Sequence, residues 1–145
     1  MRNEILLICL TAWAVAQTVK VISGLVKEKR LILRTFVASG GMPSSHSATV
    51  SALATSVGML QGLNSVAFGV ATILALVVMY DAAGVRQAVS RQSIILDRIV
   101  NEFKVGRHKG EMERDLKELI GHTPYQVFVG CFMGILIAWV WLMVV

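Results

Sequence analysis

TPYQVFVGCFMGILIAWVWLMVV, residues 123–145, holds no charged side chain, and its reading decides the fold. A helix needs about 20 predominantly apolar residues to cross the roughly 30 Å hydrocarbon core of a bilayer, so this stretch reads as a membrane span. Trp139 and Trp141 near its far end read as interfacial anchors. Working outward, residues 64–80 contain SVAFGVATILALVVMY, a second clean span. Residues 45–60 (SHSATVSALATSVGML) carry the Ser, Thr, Ala and Gly composition of a helix packed inside a bundle. The turn Gln61-Gly62-Leu63-Asn64 joins these two as a hairpin. Residues 4–26 (EILLICLTAWAVAQTVKVISGLV) give a fourth span, with Gln17 and Lys20 as polar interruptions in its last third.

The composition agrees. The chain has 145 residues, enough for one domain; 55% are apolar and 16% charged, against a usual charged share of about 25%. That excludes a cytosolic globule. Cys9 and Cys131 lie inside apolar runs, so neither a disulfide framework nor a cysteine metal site is supported. The net charge of +5 does not argue for nucleic acid, because the basic residues flank the spans, where they set topology and meet anionic headgroups. No Gly-rich phosphate loop, CxxC pair or HExxH occurs. Residues 5–19 have the apolar character of a signal sequence. They lack a basic leader beyond Arg2, however, and the apolar run continues to Val26, so they are kept as a span.

Residues 86–121 differ from the rest. Val89, Ile94, Ile95, Leu96, Ile99, Val100 and Phe103 recur at broadly helical spacing opposite a charged face, which predicts an amphipathic connector lying on the membrane surface. Gly106 and Gly110 interrupt it, and Gly121 ends a short helix over about 111–120. This segment and the Lys27–Arg34 loop are both basic, whereas the 61–64 turn is uncharged. The positive-inside rule then places both basic segments, and any site they frame, in the cytoplasm, with both termini outside. Gly58, Gly62, Gly69, Gly130 and Gly134 allow close helix approach, and the single GxxxG at Gly130 and Gly134 is compatible with a homodimer.

The strongest chemical signal is Gly40-Gly41-Met42-Pro43-Ser44-Ser45-His46-Ser47. The glycines and proline stop any preceding helix, and Ser44 or Ser45 can cap the next. Backbone N–H groups at that start, beside two hydroxyls and an imidazole, make a ready phosphate or oxyanion site. The bland alternative is a Ser-capped helix with an interfacial histidine. His122 stands at the entrance to the last span, Lys27 and Arg34 bracket the loop before Pro43, and Asp81 and Arg86 close the third span. Taken singly, these read as a hydrogen-bonded structural histidine, charge anchors and a local Asp81–Arg86 contact.

Together they resemble the type-2 phosphatidic acid phosphatases, which share a site with vanadium-dependent haloperoxidases and carry the motifs KxxxxxxRP, PSGH and SRxxxxxHxxxD. Lys27 and Arg34 have the first spacing, with Thr35 at the proline position. Pro43-Ser44-Ser45-His46 resembles PSGH with serine for glycine. His122 through Gly130 resembles the HxxxD segment with Gln126 at the aspartate position, and Arg86 (or Arg91, in Ser90-Arg91) stands for the third motif's arginine across an insertion. The chain is thus similar to a small, divergent membrane branch of that family over nearly its whole length.

The apolar runs predict an all-α membrane bundle of about four transmembrane helices plus the amphipathic connector, and the resemblance implies that residues 1–145 form one phosphatase-like domain. It implies hydrolysis of a lipid phosphate or isoprenoid diphosphate without metal or cofactor. His122 would be the nucleophile that forms a phosphohistidine, and His46 the general acid. Lys27, Arg34, Arg86, Ser44 and Ser45 would hold the phosphate oxygens. Gln126 or Asp81 would orient the nucleophile. The partners implied are membrane lipids and a phosphorylated lipid substrate, not nucleic acid. Since the family fold has a six-helix core, a second subunit is one way to complete it. The competing class is a non-hydrolytic binder of phosphorylated headgroups, or a structural membrane protein with a vestigial site.

Overall fold

The computed structural model describes residues 3–28, 42–85, 92, 95, 96 and 124–144, apart from the side chains of residues 26–28 and 85. Four long helices occur among them: α1 (Glu4–Glu28), α2 (Ser45–Gln61), α3 (Val66–Tyr80) and α4 (Pro124–Val144), with a π-helical turn at Asp81–Val85 continuing α3. The described residues contain no strand. The protein is an all-helical bundle. The predicted amphipathic connector at 86–121 lies almost wholly outside the described residues.

Each helix begins where local chemistry dictates. The Asn3 side chain accepts the Leu6 N–H at 3.3 Å, and Glu4 stands in the first turn of α1, where the helix dipole favours an acid. Ser44 is the N-cap of α2, its hydroxyl oxygen accepting from the Ser47 N–H at 3.4 Å and the Ser47 hydroxyl at 3.0 Å. Ser65 caps α3 in the same way, accepting the Phe68 N–H at 3.2 Å. Between them Gly62 takes φ +86°, a left-handed conformation suited to glycine, and its N–H donates to the Gly58 carbonyl. Pro124 opens α4 at the position where a missing N–H removes nothing from the helix.

Among the described residues, three segments are long and apolar enough to cross a membrane: Glu4–Leu25, Val66–Gly84 and Pro124–Val144. The fourth helix, α2, is shorter at 17 residues and packs against all three others. Three hydroxyls of α1 are satisfied by their own helix. Thr11, Thr18 and Ser23 donate to the carbonyls of Leu7, Ala14 and Val19 at 2.7–2.8 Å, which removes the penalty of a bare polar group in lipid.

Small residues fix how the helices meet. A Cβ at Gly130 would collide with the Ser44 carbonyl, and one at Gly134 with the Ala48 carbonyl and the Ser51 hydroxyl. Ala52 and Ala138 share a core with Ile8 and Ala12, against which Ile137, Trp141 and Leu142 pack. The rungs Ser44–Gly130, Ala48–Gly134 and Ala52–Ala138 advance together, so α2 and α4 run parallel. The Ser51 hydroxyl also donates across the interface to the Cys131 carbonyl at 3.0 Å. The early turns of α1 meet the late turns of α4, so α1 runs antiparallel to both.

This packing bears on three expectations. The GxxxG of Gly130 and Gly134 packs within the chain, against α2. Gly69 has open space where a Cβ would be, as does Gly62, so among the glycines read as permitting close approach these two do not. Trp141 packs against the core with its indole nitrogen buried, whereas Trp139 is half exposed at 50%.

Candidate functional site

The parallel pairing of α2 and α4 brings two distant motif segments to one end of the bundle. The Ser44 N–H donates to the Gln126 carbonyl at 3.2 Å, joining the Pro43-Ser44-Ser45-His46 turn to the first turn of α4. One turn further along, Gly130 lets the two backbones approach until they touch at the Ser44 carbonyl. Any larger residue there would push the start of α2 away from α4. Ser44, Ser45 and Ser47 are buried, and Pro43 with them, while His46 presents an exposed side chain from the same turn. The first-turn amides of α2 point out of this helix end, where a dipole favours an anion.

The end of α3 arrives at the same place. Asp81 is half-buried at the start of the π-helical turn, a local widening often found at functional sites. Tyr80, Asp81 and Ala83 face Pro124, Val127 and Phe128 across a cleft of about 760 Å³ between α3 and α4. A second cleft of about 560 Å³, reaching Gly58, Leu63 and Phe68 near the α2–α3 turn, shares Leu76, Met79 and Cys131 with it. The walls are almost wholly apolar.

The sequence-derived site residues divide accordingly. Ser44, Ser45, His46, Asp81 and Gln126 are gathered at one end of the bundle, through the Ser44–Gln126 bond and the α3–α4 cleft. Lys27 falls in the last turn of α1, its side chain outside the described residues. His122, Arg34, Arg86 and Arg91 also lie outside them. Among the described residues no group of three or more His, Cys, Asp or Glu is arranged to hold a metal ion.

The sequence reading passed over Lys20 and Gln17 as interruptions of an apolar run. Both are buried in the bundle, with 4% and 8% of their surfaces exposed. The signal was available. Lys20 continues the four-residue stripe Ile8–Ala12–Ala16 whose other members are fully buried, so its face was predictable.

Comparison with known proteins bears on this end of the bundle. Residues 1–137 match the family described as the Divergent PAP2 family. The chain is 39% identical over 144 residues to the uncharacterized membrane protein YuiD of Bacillus subtilis, covering 93% of this chain and 91% of that one. No solved structure matches it.

Proposed function

We propose, from the premise that this chain belongs to the Divergent PAP2 family, that it is a membrane phosphohydrolase acting on a lipid phosphate or isoprenoid diphosphate. One observation carries this reading. The start of α2 and the first turn of α4, joined from Ser44 to Gln126, open beside the apolar cleft between α3 and α4. A phosphate at the helix start and a hydrocarbon chain along the cleft would match the chemistry of each part.

In the proposed reaction a ring nitrogen of His122 attacks phosphorus, forming a P–N bond as the bond to the leaving oxygen breaks. His46, exposed at the mouth, gives its proton to that oxygen. Water then attacks the phosphohistidine, releasing phosphate and freeing His122. Ser44 and Ser45, with Lys27, Arg34 and Arg86, stabilise the charge on the phosphate oxygens. The charge of the basic segments supports a cytoplasmic face for this chemistry, with both termini outside, by the positive-inside rule.

Gln126 favours a second reading. A neutral amide stands where the related motif has a carboxylate, and that suits a protein that binds phosphorylated headgroups without hydrolysing them. Phosphate release from a panel of lipid phosphates and isoprenoid diphosphates, by purified protein in detergent, separates the two. Release that disappears in His122→Ala supports the enzyme. Binding of the same lipids with no release supports the binder.

A further inference from the structure

We propose that Lys20, which no motif assigns, is a phosphate-binding residue of this site, held inside the membrane bundle. The inference rests on the phosphate-handling reading above. A lysine almost wholly buried within a membrane-crossing helix is expensive, and such residues face the bundle interior and mark functional sites. Its level in the bundle follows from packing. Ala12 and Ile8, one turn apart, pack in one core cluster with Ala52 and Ala138. Eight positions along each helix toward the site, about 12 Å of helical rise, stand Lys20 on α1, Ser44 on α2 and Gly130 on α4.

Ser44 and Gly130 are the two residues whose backbones touch at the site. Lys20 therefore lies within about one helical turn of the level at which α2 begins, on the same stripe of α1 as Ile8, Ala12 and Ala16. Gln17 adds a second buried polar group one turn away on the same helix. The other members of that stripe, Ile8, Ala12 and Ala16, are small or apolar. The Lys20 ammonium adds to the helix start a full positive charge in a medium of low dielectric, where attraction to phosphate is strong. A lysine stem long enough to reach across one helix contact can present that charge to an anion at the first turn of α2.

The test is titration of the full-length protein in detergent with inorganic phosphate, followed by calorimetry. Lys20→Met, similar in length without the charge, should weaken phosphate binding by about tenfold or more, while Lys20→Arg keeps most of it. Equal affinity in wild type and Lys20→Met overturns the assignment of Lys20 and leaves the site reading standing. No phosphate binding by the wild type overturns both. Should Lys20→Met fail to fold, wild type labelled with ¹³C-lysine gives the answer. The Lys20 side-chain resonance, assigned by its loss in Lys20→Arg, should shift with the phosphate titration, and an unmoved resonance overturns the proposal.

Discussion

Gln126 is the residue at which this chain departs most from the pattern it resembles, and the structure ties its backbone, rather than its side chain, to the start of α2. Its carbonyl position on α4 is set by that bond, so a change of side chain leaves the anchor in place. If the proposed nucleophile is slow because no carboxylate supports the imidazolium, Gln126→Asp or Gln126→Glu should raise turnover, by up to about tenfold, with the fold intact. If Asp81 already serves from the α3 end of the cleft, those changes should do little and Asp81→Asn should depress turnover instead. Steady-state phosphate release distinguishes the two. A different residue-scale test concerns packing. Gly134→Ala puts a methyl group into the Ala48 carbonyl and the Ser51 hydroxyl, and should destabilise by about 1–3 kcal/mol. Gly69→Ala, which meets open space, should change stability by less than about 0.5 kcal/mol. Thermal unfolding in detergent compares them directly.

At the scale of elements, α2 joins the fold to the site, because its cap is also the residue that contacts α4. Ser44→Ala removes the acceptor for the Ser47 N–H and hydroxyl, and should cost about 1 kcal/mol of stability. It should also reduce phosphate release. Ser65→Ala, the equivalent cap at the far end of α3, should cost a similar amount of stability and leave release unchanged. Helix boundaries were largely legible in the sequence, since Pro43-Ser44 and the Gly62 turn stop and start helices by local chemistry alone. The partners of each face were not. The spacing of Gly130 and Gly134 says that a backbone comes close, but not whether it belongs to α2 or to a second chain. Lys20 was legible as a charge in an apolar run. Its meaning required knowing that the stripe through Ala12 and Ala16 faces α2, and so what lay opposite. The Pro43–His46 and Gln126–Gly130 segments could be matched to motifs one at a time, yet their meeting rests on small residues spread over two helices.

For the whole molecule, orientation in the membrane decides which pool of substrate the proposed site can reach. The starts of α2 and α4 share one end of the bundle by their parallel pairing, and the α3–α4 cleft brings the Asp81 end of α3 to Pro124 there. The opposite end carries the turn from Gln61 through Ser65, which has no charge. The connections at the site end carry nearly all of the chain's lysines and arginines, and such segments resist transfer across the membrane. The site end should therefore face the cytoplasm. Single cysteines placed at Lys29, Lys109 and Gln61, in a background with Cys9 and Cys131 replaced, test this in sealed cells. A membrane-impermeant thiol reagent should label the Gln61→Cys protein and leave Lys29→Cys and Lys109→Cys unmodified until the membrane is opened. The reverse pattern would place the site on the outer leaflet, and a substrate presented there would have to be sought instead. Labelling of Lys29→Cys and Lys109→Cys on opposite sides would break the hairpin topology itself, because α2 and α3 together return the chain to the face from which it left.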